Sequence, residues 1–129
     1  MRGFAFGLVA LMMAAGVGQA MAAPDGVWEL ETRDTRFALQ SCGDGTQLCG
    51  QLVWLLDVDY NEQYKPYLNA PMASGMKQVS PGRWKGEMKL FGQNFSGTLT
   101  QNSADQMTLA GCAYLIVCKS YKMYRVSAQ

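Results

Sequence analysis

Apolar and polar residues alternate along most of the chain from residue 27 onward. Val27-Trp28-Glu29-Leu30-Glu31-Thr32 puts Trp28, Leu30 and Thr32 on one face, and Arg36-Phe37-Ala38-Leu39-Gln40 repeats the alternation. Arg33-Asp34-Thr35 between them reads as a hairpin connection. Leu48 to Leu55 is a longer apolar strand with Gly50 as a bend. Arg83 to Leu90 alternates again, with Trp84, Met88 and Leu90 one way and Arg83, Lys85, Glu87 and Lys89 the other. Gly92-Gln93-Asn94 predicts a turn, Phe95 to Thr100 a returning strand, and Asn102 to Asp105 a second polar turn. Met107 to Gly111, the apolar Tyr114 to Val117 and the alternating Lys119 to Val126 complete the series. A period of two, broken by a turn every ten residues or so, is the mark of antiparallel strands with one buried face. The expected fold is all-β: a small antiparallel up-and-down barrel of about eight strands. Closure removes the sheet edges, and a barrel of this size holds either a packed core or one small ligand.

Asp57 to Gly82 breaks the rhythm. It carries Pro66, Pro71 and Pro81 with Tyr60, Tyr64 and Tyr67, and no period stands out. It reads as one long ordered loop with a helical turn at most, and loops of this length often carry function.

Composition changes this picture at the N-terminus. Arg2 is followed by an apolar run from Phe4 to Val17 and then by Ala20-Met21-Ala22-Ala23. A basic start, a short apolar stretch and small residues form a secretory signal. The run is shorter than the roughly 20 residues of a bilayer span, and none of that length follows. The reading is a signal peptide at residues 1–22 and a barrel domain at 23–129, in a periplasm or secreted, with no transmembrane segment in the mature chain. Loss of Arg2 leaves ten basic residues against ten acidic ones. The basic residues are dispersed along the chain, which argues against nucleic acid as a partner.

The four cysteines are Cys42, Cys49, Cys112 and Cys118. An even number in an oxidising compartment reads as disulfides. Of three possible pairings the local ones, Cys42–Cys49 and Cys112–Cys118, are favoured, since each flanks a plausible turn; a crossed pairing stays open. A zinc site would show tighter spacing than the six and five residues between these cysteines, so no metal is expected. Met72 and Met76 could suggest Cu(I), but adaptable packing is the better reading.

The chain has no histidine, which removes Ser-His-Asp and Cys-His catalysis. The carboxylate pairs Glu29/Glu31 and Asp57/Asp59 are read as solvated or turn-capping groups. No cofactor is implied, and the protein is read as non-enzymatic. Trp28, Trp54, Trp84, Tyr60 and Tyr64 are the candidate lining for a small apolar or amphipathic ligand in the cell envelope. The alternative is that the aromatics fill the barrel, leaving a protein-interaction or scaffolding module that contacts an envelope protein through exposed loop tyrosines.

Gly26-Val27-Trp28, Cys42 followed by Leu48-Cys49-Gly50-Gln51-Leu52-Val53-Trp54-Leu55, Trp84-Lys85-Gly86 and Leu109-Ala110-Gly111-Cys112 resemble the bacterial domain-of-unknown-function family 2147. The resemblance runs from about Gly26 to Val126 and implies an exported, lipocalin-like barrel. Two stretches depart from it. Leu90-Phe91-Gly92-Gln93-Asn94 stands where the family tends to have a Tyr-Asp-Pro…Gly-Lys turn, and Met123-Tyr124-Arg125 stands where it tends to have Trp-x-Arg. Gly-x-Trp on the first strand also resembles lipocalins, which implies that a basic residue of the last strand, here Arg125, covers Trp28 and closes one barrel end.

Overall fold

The computed structural model describes residues 22–113 and 117–127. The expected signal segment at residues 1–22, apart from Ala22, and the apolar Tyr114, Leu115 and Ile116 lie outside them. Eight strands follow in order: β1 (Gly26–Leu30), β2 (Thr35–Cys42), β3 (Gln47–Leu55), β4 (Pro71–Ser80), β5 (Arg83–Leu90), β6 (Gln93–Ser103), β7 (Gln106–Ala113) and β8 (Val117–Ser127). Each pairs antiparallel with the next, and β8 returns to β1, so the sheet is a closed up-and-down barrel. Among the described residues no helix is long and apolar enough to cross a membrane.

Alternation sets the inward faces. Trp28, Phe37, Leu39, Leu48, Leu99, Met107 and Met123 are fully buried, and Met72, Met76, Trp84 and Met88 nearly so. Large side chains lie over glycines on the same inner wall. A Cβ on Gly50 would meet Leu39 and Met72, one on Gly97 would meet Met88, and one on Gly111 would meet Phe95. The glycines make room for neighbours that would otherwise collide, so large side chains pack closely over this wall. Met72 and Met76 therefore pack the core, as adaptable thioethers do.

Two disulfides, Cys42–Cys49 and Cys112–Cys118, join the local pairs. The first ties β2 to β3 across their hairpin, and the second joins directly opposed residues of β7 and β8.

The long irregular segment is shorter than the sequence implies. Within Asp57–Gly82, Pro71–Ser80 is strand β4, and the true loop spans residues 56–70, with two short 3-10 turns at Asp57–Asp59 and Lys65–Tyr67. Alternation fails in β4 because of bulges. Cys49 pairs with Ser74 and Leu48 with Met76, which leaves Gly75 unmatched; Gly50 pairs with Ala73 and Gln51 with Pro71, which leaves Met72 unmatched. Each extra residue shifts the period by one, so Met72 and Ala73 both face inward. The β5–β6 turn also falls earlier than expected. Leu90 pairs with Gln93, so the turn residues are Phe91 and Gly92, at φ 50° and 83°. Two positive φ values in a two-residue loop match the twist of the flanking strands, and the strained one at Phe91 is held by packing of its ring. Thr32 lies exposed in the first turn, and Thr35 opens β2 with its side chain buried.

Candidate functional site

One barrel end is closed by a single cation. The Arg125 guanidinium lies over the Trp28 ring at 4.4 Å from its centroid. Its nitrogens donate to the carbonyl oxygens of Asp25 at 2.6 Å, Ala23 at 2.8 Å and Ala104 at 2.9 and 3.0 Å. The Asp105 carboxylate stands 3.3 Å from Nε. Trp28 Nε1 donates to Pro24 O at 2.9 Å. Arg125 thus strings the entering chain and the β6–β7 turn across the end of the barrel, and the expected cover over Trp28 is present. At the same end Trp84 Nε1 donates to Thr46 O at 2.9 Å, anchoring the β2–β3 turn. That turn is braced by Asp44, which accepts from Thr46 Oγ1 at 2.6 Å and from its N–H at 2.9 Å. The Thr46 hydroxyl, followed by the Thr46 N–H, holds the Asp44 carboxyl below its ordinary range.

The opposite end is plugged by the loop. Tyr64, Tyr67, Leu68 and Phe91 pack onto the core, and Phe91 meets Tyr64 and Tyr67 edge-on at 5.0 and 5.7 Å. Beneath the plug, a space of about 20 Å³ is lined by Leu52, Tyr67, Met72 and Leu90 among others. That is too small for a ligand pocket, which needs about 300 Å³ or more.

The five aromatic residues expected to line one cavity do not share one. Trp28 and Trp84 fill the core. Trp54 faces outward beneath Arg36, whose guanidinium lies 4.5 Å from the ring centroid. Tyr60 is half-exposed on the loop, beside Lys65 at 5.1 Å. Tyr64 belongs to the plug. A β-bulge explains Trp54: Arg36 pairs with Trp54 but Phe37 with Leu52, so Val53 is the extra residue and Trp54 turns outward. The carboxylate pairs are also dispersed. Glu29 is tied to Arg36 at 2.9 Å, Glu31 accepts the Lys122 N–H, and Asp57 and Asp59 sit in the first 3-10 turn.

The cavity of ligand size lies on the outer wall. A groove of about 320 Å³ crosses β2, β3 and β4, with Ala38, Gly50, Pro71 and Ala73 as its apolar part and Gln40, Gln51 and Ser74 as its polar part. It opens where the β4 bulges interrupt the β3–β4 ladder. Its lining carries no charge. Beyond it, Lys77 of β4 stands in register with Lys85 of β5, and exposed Arg83 follows on the same strand. Strand pairing therefore brings Lys77, distant in sequence, beside Lys85 and Arg83. Charge alternation on β5 was visible in the sequence, but its meeting with Lys77 depends on a strand that the sequence hides.

An eight-stranded up-and-down barrel with a filled interior, an Arg–Trp closure at one end and an aromatic plug at the other defines a lipocalin-like architecture. Residues 26–125 match the family described as "Uncharacterized protein conserved in bacteria (DUF2147)", and the chain belongs to that family. No curated protein and no solved structure matches it.

Proposed function

We propose that this is an exported, non-enzymatic barrel of the bacterial cell envelope that recognises another envelope component through its outer surface. The observation that carries this reading is the filled interior. Trp28, Phe37, Leu39, Leu48 and Leu99 are fully buried against one another, and the mouth is stopped by Tyr64, Tyr67 and Phe91. A barrel so packed has no room for an apolar ligand, which leaves the walls as the place for recognition. The two disulfides and the basic-apolar-small leader support export. The absence of histidine from the sequence supports a binding role over catalysis.

Titration with the polarity-sensitive fluorophore ANS tests the reading. No saturable binding to the native protein is expected, with fluorescence rising only as the protein unfolds. Saturable native-state binding that a fatty acid displaces would restore the interior-ligand reading and overturn this one. Fractionation of a bacterium expressing the full chain tests export. The expected product is periplasmic or in the medium, begins at Ala23 and is oxidised at all four cysteines; a reduced, uncleaved cytoplasmic product would refute it.

A further inference from the structure

We propose that the outer wall formed by β3, β4 and β5 is the recognition site, and that it takes an acidic saccharide. This rests on the surface-recognition reading above and names its ligand class. A neutral sugar ring fits the groove, and the carboxylate or phosphate groups of the same saccharide meet Lys77, Lys85 and Arg83.

The groove supplies the first half. At about 320 Å³ it lies at the small end of ligand pockets, a size suited to a compact molecule. Gln40 and Gln51 each present a carbonyl acceptor and an amide donor, and Ser74 adds a hydroxyl that does both. Adjacent sugar hydroxyls also donate and accept, so paired amides match them well. Ala38 and Pro71 give an apolar surface for the C–H face of a ring. Trp54 stands on the same outward face beyond Gln51, and its partner Arg36 precedes Ala38 by two on β2.

The cations supply the second half. Lys77 is the next outward position on β4 after groove residue Ser74, past the bulge at Gly75. Lys77 and Lys85 are directly opposed, an arrangement that destabilises a sheet by itself. Among the described residues neither of them, nor Arg83, takes part in a salt bridge. Glu87 is the only acid on β5, and it accepts a hydrogen bond from Ser96 at 2.8 Å. Three cations without a salt bridge, further along the wall from an uncharged hydrogen-bonding groove and past Glu87, call for an extended ligand that is polar and neutral at one part and anionic at another. A bare anion would leave the groove unused, and a neutral sugar would leave the lysines opposed.

Amide-detected NMR titration of the purified protein tests the assignment. The probes are tri-galacturonic acid, neutral maltotriose, inorganic phosphate and phosphatidylglycerol vesicles. Tri-galacturonic acid is expected to shift amides at residues 38–40, 49–51, 73–77 and 83–85, to bind at least tenfold more tightly than maltotriose, and to weaken as salt rises. Gln40→Ala with Gln51→Ala, and separately Lys77→Gln with Lys85→Gln, should each lower its affinity at least tenfold. All four side chains are on the outer wall, and an otherwise unchanged amide spectrum shows that each variant is folded. Phosphate binding as tight as the saccharide, vesicle binding alone, or no response from this wall would each overturn the proposal and leave the surface-recognition reading standing. Saccharide-induced shifts concentrated at Phe37, Leu99 and Met107 would place the ligand inside and overturn both.

Discussion

At the scale of single residues, Arg125 does more than any other side chain to close the barrel. Its guanidinium combines the Trp28 stack with four hydrogen bonds to three carbonyl groups, and its side chain is only 11% exposed. A cation–π contact of about 0.5–2 kcal/mol and charge-assisted hydrogen bonds of about 1.5–3 kcal/mol each offset the loss of solvation. Arg125→Ala should therefore destabilise the protein by about 2–4 kcal/mol, lowering the melting temperature by roughly 10 °C or more. Arg125→Lys should recover only part of this, because an ammonium cannot reach three carbonyls in one plane. Thermal denaturation of both variants is the measurement, and an unchanged midpoint for the alanine form would contradict the closure role. Asp44 offers a pH-dependent counterpart. Its folded carboxyl ionises below the unfolded one, so the stability it contributes is present above the unfolded value and is lost as pH falls through the folded value. NMR of the Thr46 amide should follow a protonation below the ordinary aspartate range, and Asp44→Asn should abolish that step. The Arg125–Trp28 contact was implied by the resemblance of Gly26-Val27-Trp28 to the first strand of lipocalins, with Arg125 as the basic residue of the last strand. The aromatic plug was not, because Phe91 depends on a positive φ that its residue type does not announce.

At the scale of elements, a strand was legible wherever its alternation was unbroken. Trp84, Met88 and Leu90 face inward from β5 as their spacing predicts, and Met107 and Leu109 do the same from β7. Strand β4 was hidden because Met72 and Gly75 are bulge residues, and because its outer half, from Lys77 to Ser80, is exposed and polar save for Val79. Without β4 the groove and the lysine pair could not be seen, since both are products of its register. The hairpin staples were the favoured pairing because each pair flanks a plausible turn, but the sequence left a crossed pairing open and the structure closes that choice. Opening Cys42–Cys49 by replacing both with serine should cost about 2–2.5 kcal/mol in the chain-entropy view of so short a loop. Denaturant unfolding of the double variant checks this, and a loss below a few tenths would mean that Trp84 and Asp44 already hold that hairpin. The long loop has two unequal halves. Leu56, Val58 and Tyr60 are exposed, while Tyr64, Tyr67 and Leu68 pack on the core. Limited proteolysis with a non-specific protease should cut first between residues 57 and 63 and spare 64–70, since cleavage follows backbone that can open locally.

At the scale of the molecule, the interior and the wall make opposite demands. A barrel that carried its ligand inside would tolerate added methyl groups and would already bind small apolar probes. This barrel places glycines where its own methionine and phenylalanine side chains need space, so added atoms have nowhere to go. Gly97→Ala would drive a methyl into Met88 and the Ala110 carbonyl, and should destabilise by about 1–3 kcal/mol through overpacking. Leu99 makes the reverse experiment possible, since it is fully buried and sits on the long strand β6. Leu99→Ala should cost about 2–5 kcal/mol and leave an apolar void. Engineered voids of that kind stay dry and admit small apolar molecules. Benzene should therefore raise the melting temperature of Leu99→Ala and leave that of the native protein unchanged. Stabilisation of both proteins to the same degree would mean that the native interior already has room, and the case for recognition on the outer wall would lose its footing.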